Sequence, residues 1–373
     1  MDDIMRILVT GADGFIGKNL TVHLDELDGV VVHKFVRGDT FQALEKLVNM
    51  SDAVIHLAGE NRPENPDEFE AVNVGLTAAL CLYLENASKD IPVVFASSAQ
   101  AVSDNPYGRS KSSAEVIFRK LAEIYDAPIF IYRLPGVFGK WSKPNYNSVV
   151  ATFCYNIAND LPITISNPAT QIDLVYIDEV VSALVKSATD FFEPGIYFPE
   201  VTPVYNISLG ELETQIFAFG NCRTSLVTEC VGTGLIRALY STYVSYLPKS
   251  EFSYTLPSHE DDRGIFVEML KTVNSGQFSF FTAHPGITRG GHYHHSKTEK
   301  FLVIKGTASF AFKHILSQDL HTIVTSSGNP TVVETIPGWA HDITNIGDDD
   351  LVVMLWANEI FSKTLPDTIA YEI

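Results

Sequence analysis

Three glycines stand near the start of the chain, where an apolar run gives way to a helical pattern. The segment T-G-A-D-G-F-I-G contains Gly11, Gly14 and Gly17. The first permits a tight turn, the second lets the backbone approach a pyrophosphate, and the third lets the helix pack against the strand. Free N–H groups at the helix start can bind the anion. The turn predicts a dinucleotide site, with Phe15 and Ile16 among its contacts.

Residues 4–130 alternate short apolar runs with helical patterns. The runs that predict strands are Ile7–Thr10, Val30–Phe35, Ala53–Leu57, Val93–Ser97 and Ile129–Arg133. Helical patterns between them include Gly17–Leu27 and Ser110–Ile124. Because strands that alternate with helices form parallel sheets, we predict a Rossmann-type, doubly wound α/β fold with helices on both faces.

From about Glu251 onward, short β-rich runs are separated by turns of Gly, Asn, Asp and Pro. The runs are Gln277–Ala283, Glu299–Lys305, Ala308–Lys313, Thr331–Ile336 and Leu351–Trp356. This spacing predicts an all-β antiparallel barrel or sandwich. A chain of 373 residues also exceeds the ~250–300 residues that one core serves. We therefore predict two domains, 1–247 and 248–373.

Composition and cysteine usage exclude several functions. The chain has 26 basic and 45 acidic residues, a net charge of −19, so we expect no nucleic-acid partner. Its four cysteines are scattered, which favours a reducing cytoplasm. The chain begins with a strand and a turn instead of a signal-peptide pattern. No apolar stretch approaches the ~20 residues that span a bilayer, so we expect no membrane insertion.

The end of the second predicted strand bears on the choice of nicotinamide cofactor. An acidic residue there would hold the ribose 2′-hydroxyl of NAD. The strand instead delivers Arg37, with Lys34 nearby, and a guanidinium suits the 2′-phosphate of NADP. We predict NADP(H) with Arg37 as a ligand. Alternatively, Arg37 is a solvated residue and Asp39 holds the ribose of NAD.

The motif H-L-A-G ends the third predicted strand. Small residues let the backbone run beside a cofactor, so Leu57, Ala58 and Gly59 are predicted contacts. We interpret His56 as a packing residue. Asn73 stands where the next helical pattern begins, and it either orients a catalytic lysine through water or has a structural role at the helix start.

Two segments carry candidate chemistry. Ser97 and Ser98 end the fourth predicted strand, and Tyr107 and Lys111 lie four residues apart on one helix face. An ammonium beside a phenol favours the phenolate and lowers its pKa. Such a tyrosine can exchange a proton with a carbinol oxygen, while a serine hydroxyl hydrogen-bonds the same oxygen. We predict that Tyr107, Lys111 and one of the two serines are catalytic.

These motifs, together with R-L-P-G-V-F-G at residues 133–139, resemble the extended short-chain dehydrogenases/reductases over residues 1 to about 245. The resemblance implies nucleotide-sugar substrates, bound by the region after Y-x-x-x-K. It also implies that Ser98 pairs with Tyr107, with Ser97 as the alternate. Gly136 replaces the usual Asn of the family, which is a departure at a substrate contact.

A second set of candidate ligands lies in the β-rich part. His292 and His294 would point the same way from one strand, Glu299 begins the next, and His341 can enter from a distant strand. Three imidazoles and a carboxylate suit zinc, iron, manganese or nickel. The spacings G-x5-H-x-H-x4-E-x6-G and P-G-x-x-H resemble both halves of the cupin signature, except that no residue separates Pro from Gly. We predict a divalent metal, with zinc as first choice.

Two neighbouring segments resemble the nucleotide-sugar 3,5-epimerases, which are themselves cupins. They are D-R-G-I-F-V-E, with Arg263, and R-G-G-H-Y, with Arg289 and His292. The resemblance implies that the arginines hold phosphate and that the histidine is a base. His292 is therefore either a metal ligand or a base, because a metal-bound imidazole has lost the lone pair that a base needs.

The fusion as a whole resembles the CapF-type enzymes of capsule and O-antigen synthesis, through D-N-P-Y-G, G-K-W-S-K-P-N-Y-N-S-V and Y-S-T-Y. The resemblance implies a UDP-linked 4-keto-6-deoxy-N-acetylhexosamine as substrate and UDP-N-acetyl-L-fucosamine as the end product. The cupin would invert carbon 3, and the reductase domain would transfer hydride from NADPH to carbon 4. Candidate substrate ligands are Arg133, Lys140, Lys143 and Asn145, although the two lysines could equally form a solvated surface.

Two other functions stay open on sequence. One is an NAD-dependent epimerase or dehydratase that recycles its hydride and has a structural cupin. The other is a regulatory protein that binds a ligand without turnover. Barrels of this kind often pair through their sheets, so we expect a homodimer.

Overall fold

In the computed structural model, the structure describes residues 4–63, 65, 68–87, 89–295, 297–364 and 366–373. The chain divides into two compact units, Met1–Ile216 with Ala238–Leu247, and Phe217–Arg237 with Pro248–Ile373. The predicted domains differ from these units in residues 217–237. Those residues belong to the second unit, whose sheet is extended by the short strand Val227–Thr228.

The elements follow in chain order. The strands described in the first unit are β1 (Met5–Thr10), β2 (Val30–Phe35), β3 (Ala53–His56), β4 (Val93–Ser98), β5 (Pro128–Leu134), β6 (Gly136–Phe138), β7 (Gln171–Tyr176), β8 (Gly195–Tyr197) and β9 (Tyr205–Ser208). The α-helices are α1 (Phe15–Asp25), α2 (Phe41–Met50), α3 (Leu76–Ala87), α4 (Pro106–Leu121), α5 (Val149–Ala158), α6 (Ile177–Thr189), α7 (Leu209–Ser225) and α8 (Gly234–Val244). A π-helix spans Phe69–Gly75, and 3-10 turns span Ala99–Val102 and Lys249–Glu251.

The first unit is built on a six-stranded sheet in the order β2-β1-β3-β4-β5-β8. Every neighbouring pair in it is parallel. Strands β3 and β4 are buried throughout, as expected for a sheet covered on both faces. The strand order reverses between β1 and β3, and ligands of such folds bind outside the carboxyl ends of the strands at that point. The predicted doubly wound fold is confirmed.

The first unit also contains a separate three-stranded sheet, in the order β6-β7-β9. Strands β6 and β7 run parallel, and β9 pairs with β7 in antiparallel fashion. The strand β6 leads directly into the segment 139–148, which contributes to the cleft described below. Left-handed backbone at Trp141 and Asn145 turns that segment.

The second unit holds the remaining strands: β10 (Val227–Thr228), β11 (Ser258–Asp261), β12 (Gly264–Thr272), β13 (Gly276–Ala283), β14 (Thr288–Tyr293), β15 (Glu299–Lys305), β16 (Thr307–His314), β17 (Leu320–Ser326), β18 (Val332–Glu334), β19 (Trp339–Asn345), β20 (Leu351–Ala357) and β21 (Ile369–Ala370). One sheet has the order β10-β12-β13-β20-β15-β18, with β11 on β12, and the other has the order β17-β16-β19-β14-β21. Buried Phe281, Phe301 and Phe310 belong to the core of this unit. The predicted all-β second domain is confirmed.

The cysteines and the helices are relevant to the predicted reducing compartment and to the expected lack of membrane insertion. All four cysteines are free thiols. Cys81 is buried in the core of the first unit, and burial raises the pKa of its thiol to about 12. Within the described residues, no helix combines the length and the apolar character needed to cross a bilayer.

Candidate functional site

A cavity of about 1080 Å³ opens at the carboxyl ends of the parallel strands in the first unit. Its walls come from the glycine turn, from the residues after β2 and β3, from β4 and α4, and from the segments 134–150 and 172–174. The predicted residues that line it are Gly11, Gly14, Phe15, Ile16, Gly17, Arg37, Leu57, Ala58, Gly59, Ser97, Ser98, Tyr107, Lys111 and Lys143.

The glycine turn leaves no room for side chains. Gly11 has a φ of +70°, and a Cβ on it would lie 2.7 Å from the backbone nitrogen of Ala58. A Cβ on Gly17 would lie 2.2 Å from the carbonyl oxygen of Gly11. Helix α1 begins after Gly14 without a side-chain cap. The first backbone N–H groups of α1 are therefore available at the cavity, where they would bind the pyrophosphate of a dinucleotide.

Arg37 lies at the mouth of the same cavity. Its side chain is 82% exposed, and Nη2 donates to Oε2 of Glu60 at 2.5 Å. Asp39, the alternative ribose ligand, accepts a hydrogen bond from the backbone N–H of Val36 at 2.8 Å. Arg37 thus keeps donors free for a phosphate, whereas the Asp39 carboxylate is engaged by its own turn. This arrangement fits a 2′-phosphate.

Glu60 was not identified from the sequence, although it directly follows the H-L-A-G motif. Besides Arg37, its carboxylate accepts from the hydroxyl of Tyr146 (3.2 Å) and from the backbone N–H groups of Asn61 and Arg62. Burial would raise its pKa, but the Arg62 N–H and the Arg37 guanidinium outweigh burial and lower that pKa. Glu60 therefore joins the cofactor wall to the segment 139–148.

His56 and Asn73 both lie behind the cavity wall. His56 is fully buried, with Nδ1 2.7 Å from Thr10 Oγ1 and Nε2 3.0 Å from Thr77 Oγ1. Burial lowers its pKa to about 3, which fits the interpretation as a packing residue. Asn73 lies in the π-helix, where it bonds the backbone N–H and carbonyl of Glu60 and the hydroxyl of Ser110. A Cβ on Gly59 would lie 3.2 Å from Asn73 Oδ1 and 3.7 Å from Lys111 Nζ, so Asn73 does lie near the lysine.

Ser98, Tyr107 and Lys111 come together at the cavity wall. Asn105 caps α4 through Gly108 N–H (2.8 Å), which places Tyr107 in the first turn of the helix. Ser98 lies at the end of β4 and hydrogen-bonds the Tyr107 hydroxyl, a contact that acts to lower the phenol pKa. Lys111 is buried, and its Nζ donates to the carbonyl of Ala96 at 2.6 Å.

The prediction that the Tyr107 phenol has a lowered pKa is wrong. Burial raises the pKa of the Tyr107 phenol, and the hydrogen bond from Ser98 only partly offsets that effect. The physical reason is that Lys111 is directed at the Ala96 carbonyl and the Phe95 ring, whose centroid is 4.4 Å from Nζ. Burial also lowers the pKa of Lys111, to about 8.

Ser97 faces away from Tyr107 and hydrogen-bonds Glu115 instead. Its hydroxyl donates to Oε1 of that buried carboxylate at 2.6 Å. Arg133, a predicted substrate ligand, donates from Nε and Nη2 to the same carboxylate at 3.0 and 2.7 Å. Arg133 is therefore held in an ion pair and lies outside the cavity lining, because β5 runs directly beside β4.

Of the other predicted substrate ligands of this unit, one lines the cavity and two lie outside its lining. Lys143 lines the cavity, with Nζ 4.8 Å from the centroid of the Tyr146 ring. Lys140 lies outside the lining and pairs with Asp178 at 2.9 Å. The side-chain amide of Asn145 is also outside and donates to Asn156 Oδ1 at 3.1 Å.

In the second unit, the four predicted metal ligands form one cluster. His292, His294, Glu299 and His341 each offer a ligand atom, and these atoms lie within 4.8 Å of one another. His292 is on β14 directly opposite His341 on β19. The register shifts between Gly290 and His292, and this bulge sets how His292 enters the cluster.

The protonation pattern of this cluster fits a cation. His294 Nδ1 contacts the carbonyl oxygen of Asp367, which can only accept, so Nδ1 carries a proton and Nε2 is the nitrogen that faces the cluster. That Nε2 lies 3.1 Å from Glu299 Oε2, and His341 Nε2 lies 3.3 Å from the same oxygen. Both ring nitrogens of His341 are buried, and neither makes a hydrogen bond with any residue that the structure describes. Burial lowers the pKa of His292 to about 4, which keeps that imidazole in the neutral form that binds metals.

Lys297 was not identified from the sequence as part of this site. It is buried, and its Nζ lies 3.0 Å from Glu299 Oε1, the oxygen that faces away from the histidines. Fixing one oxygen of a ligating carboxylate leaves the other for the metal. A lone lysine two residues before a glutamate carries no recognisable signal for this role.

The two predicted arginines of the second unit lie near one acidic residue. Arg263 pairs with Asp261, with Nη2 to Oδ2 at 2.6 Å. Arg289 Nη2 lies 4.0 Å from Asp261 Oδ1, and among the described residues its buried Nε and Nη2 have no hydrogen-bond partner. Arg289 thus retains unused donors, which suits an anionic ligand, whereas Arg263 is already neutralised.

Comparisons with known proteins find relatives for both units. The NAD dependent epimerase/dehydratase family matches residues 7–198, and a polysaccharide biosynthesis C-terminal domain matches residues 259–369. The chain is 54% identical, over 99% of both chains, to the UDP-2-acetamido-2,6-beta-L-arabino-hexul-4-ose reductase of Pseudomonas aeruginosa.

Two solved structures show how far the likeness extends. The capsular polysaccharide assembling protein CapF of Staphylococcus aureus is 39% identical, with a TM-score of 0.90, over 99% of this chain and 100% of that one. The UDP-glucuronic acid 4-epimerase of Bacillus cereus, in complex with UDP-glucuronic acid and NAD, is 18% identical with a TM-score of 0.56. It covers 65% of this chain and 99% of its own, and it supports the fold alone.

Proposed function

Because the chain belongs to the NAD dependent epimerase/dehydratase family and shares a family with the hexul-4-ose reductase of Pseudomonas aeruginosa, we propose that it reduces carbon 4 of a UDP-linked 4-keto-6-deoxy-N-acetylhexosamine. The product would lead to UDP-N-acetyl-L-fucosamine for capsule or O-antigen polysaccharide. The likeness covers both units, and the relatives' printed names concern the same kind of sugar and polysaccharide.

The cofactor of this proposal is NADP(H). When bound, the nicotinamide supplies the hydride. Gly11, Gly14 and Gly17 would hold the pyrophosphate, and Arg37 would hold the 2′-phosphate with the donors that Glu60 leaves free. Ser98, Tyr107 and Lys111 line the same cavity, so the sugar carbonyl would lie between the cofactor and these side chains.

Tyr107 is the proposed proton donor to the sugar oxygen. Burial keeps its phenol protonated, which is the form that a reduction requires. Ser98 already contacts the phenol and would hydrogen-bond the same sugar oxygen as negative charge develops there. Below its pKa of about 8, Lys111 is charged and stabilises the phenolate left after proton transfer.

We further propose that the second unit inverts carbon 3 and holds a divalent metal, with zinc as first choice. His292, His294, Glu299 and His341 would bind it, and a metal in such a site polarises a carbonyl oxygen. Arg289 would hold the diphosphate with its unused donors. As a ligand, His292 has no lone pair left to serve as the base, so the carbon 3 proton would pass to another basic group, which exchanges it with water before a proton returns to the opposite face.

The proposal also covers the oligomeric state and the cellular compartment. We propose a homodimer, by analogy with barrels that pair through their sheets, which sedimentation would test. We also propose a cytoplasmic setting, supported by four free thiols and a need for reduced cofactor.

The single observation that carries the reductase proposal is the meeting of Tyr107, Ser98 and buried Lys111 at one cavity wall. The test is NADPH oxidation in the presence of the UDP-4-keto sugar. We expect Tyr107→Phe to lower kcat about 10²–10⁴-fold, the usual contribution of a general acid.

Tyr197→Phe is the matched control, because that hydroxyl bonds the Glu193 carbonyl outside the cavity. Its kcat should equal that of the wild type. Full biological activity of Tyr107→Phe would favour a ligand-binding protein. Retained NAD without net NADPH consumption would favour an epimerase or dehydratase that recycles its hydride.

A further inference from the structure

Glu115 is a buried carboxylate that the proposed reaction does not use directly. Its side chain is 3% exposed and lies one helical turn after Lys111 on α4. Arg133 donates a hydrogen bond to each of its oxygens, and Ser97 donates to one of them. Burial would raise its pKa, but the Arg133 hydrogen bonds outweigh burial and lower that pKa, so the carboxylate is ionised.

Two charged side chains of α4, Lys111 and Glu115, contact consecutive residues of one strand. Lys111 Nζ donates to the carbonyl of Ala96, and Glu115 accepts from the hydroxyl of Ser97, the next residue of β4. Ser98 follows immediately and contacts Tyr107, which lies on α4. These two bonds therefore fix the helix that carries the phenol to the strand end that carries the serine.

Few charged groups act on Lys111 within the described residues. Glu115, on the same helix, favours its charged form against the larger effect of burial. His56 on β3 also interacts with Lys111, but burial lowers the His56 pKa to about 3, so the ring is neutral in an assay. Arg133 on β5 and Arg119 on α4 act on Glu115. Glu115 is thus the anion whose charge acts on the lysine, one helical turn away.

We infer that Glu115 is a positioning residue for the reduction: it places a negative charge one helical turn from Lys111 and, through Ser97, fixes α4 against the end of β4. The inference rests on the proposed function of Tyr107 and Lys111. Glu115 lies outside the cavity lining and acts only through these neighbours.

The test is the pH profile of kcat/KM for NADPH-dependent reduction by Glu115→Gln. Glutamine keeps nearly the same shape and an acceptor for Ser97, but it has no charge. We expect the basic limb, which Lys111 sets, to move about one pH unit lower, the smaller end of what a neighbouring charge does to a pKa. Above that limb the rate would fall about tenfold relative to the wild type.

Two variants separate positioning from general stability. Arg6→Met removes the half-exposed ion pair with Asp52 from the same sheet, and its profile should match the wild type. Ser97→Ala keeps the charge of Glu115 and should lower kcat without moving the basic limb. A shift in Ser97→Ala as large as that in Glu115→Gln would overturn the inference.

A uniform loss of activity in Glu115→Gln, with an unmoved basic limb, would also overturn it. If that variant does not fold, Arg133→Met tests the same charge with the opposite sign: Glu115 then loses the cation that compensates it, so the basic limb should move higher. The proposed function has a separate test: it is contradicted if Tyr107→Phe, with Glu115 and Arg133 unchanged, keeps full NADPH oxidation.

Discussion

Tyr107 and Lys111 lie on the same helix, and burial moves each pKa toward the uncharged form. It raises the pKa of the phenol and lowers that of the ammonium to about 8. A protonated phenol can give a proton to a carbonyl oxygen that receives hydride, whereas oxidation of an alcohol needs the phenolate. The residues are therefore set for reduction.

Arg37 allows a prediction about cofactor choice. Arg37→Ala should weaken NADPH binding about 10- to 100-fold, because a charged hydrogen bond contributes about 1.5–3 kcal/mol. NADH has no 2′-phosphate, so its affinity should change little. Fluorescence titration with both cofactors measures the two affinities.

Arg109→Ala is the control for this titration, since its exposed side chain pairs with Asp104 on the surface. An equal loss of affinity for NADPH and NADH in Arg37→Ala would contradict the role of Arg37 as the phosphate ligand. It would favour Asp39 as the ligand of the ribose.

At the level of elements, the glycine turn carries the strictest requirement. Gly17→Ala would place a Cβ 2.2 Å from the Gly11 carbonyl oxygen and 2.7 Å from that of Ala12, both of which are backbone. The turn must then open, so we expect NADPH affinity to fall at least tenfold and the melting temperature to drop. Calorimetry with and without NADPH measures both. Gly232→Ala, which meets no atom within 4 Å, should leave the affinity unchanged; an equal loss there would argue against a specific role for the turn.

Local patterns predicted the parts of the site that depend on one element. The glycine turn, the spacing of Tyr107 and Lys111, and the alternation of His292 and His294 follow from the geometry of a turn, a helix and a strand. Tyr107 and Lys111 lie on one helix as predicted, whereas His294 lies one residue beyond the end of β14 and still joins the cluster. The catalytic and metal-binding roles stay predictions.

Contacts between elements could not be predicted in this way. The Arg133–Glu115 pair exists because β5 lies beside β4, and the Glu60–Tyr146 bond joins residues 86 positions apart. The raised pKa of Tyr107 likewise reflects burial by several elements. The strand Val227–Thr228 has two residues, too few for a periodic pattern, so its membership of the second unit was missed.

For the molecule as a whole, each unit carries one site of its own. The cavity lies wholly within the first unit, and the His/Glu cluster lies wholly within the second. Removal of metal should therefore abolish proton exchange at carbon 3 but leave NADPH affinity unchanged. A metal at 1,000 times its Kd adds about 4 kcal/mol, so we also expect a drop in melting temperature on the order of 10 °C.

Elemental analysis, calorimetry and exchange into D₂O check this prediction together. Readdition of zinc should restore the exchange and the melting temperature. Continued exchange in metal-free protein would contradict the metal-assisted inversion, although it would leave the reductase proposal intact.

The central claim is that hydride reaches carbon 4 of the sugar while Tyr107 supplies the proton. The most direct measurement follows deuterium from NADPH labelled at nicotinamide carbon 4 into the UDP-4-keto sugar by NMR. We predict one deuterium at sugar carbon 4, one NADPH consumed for each product, and almost no label in Tyr107→Phe. A product without deuterium, or one formed while NADPH stays constant, would contradict the account.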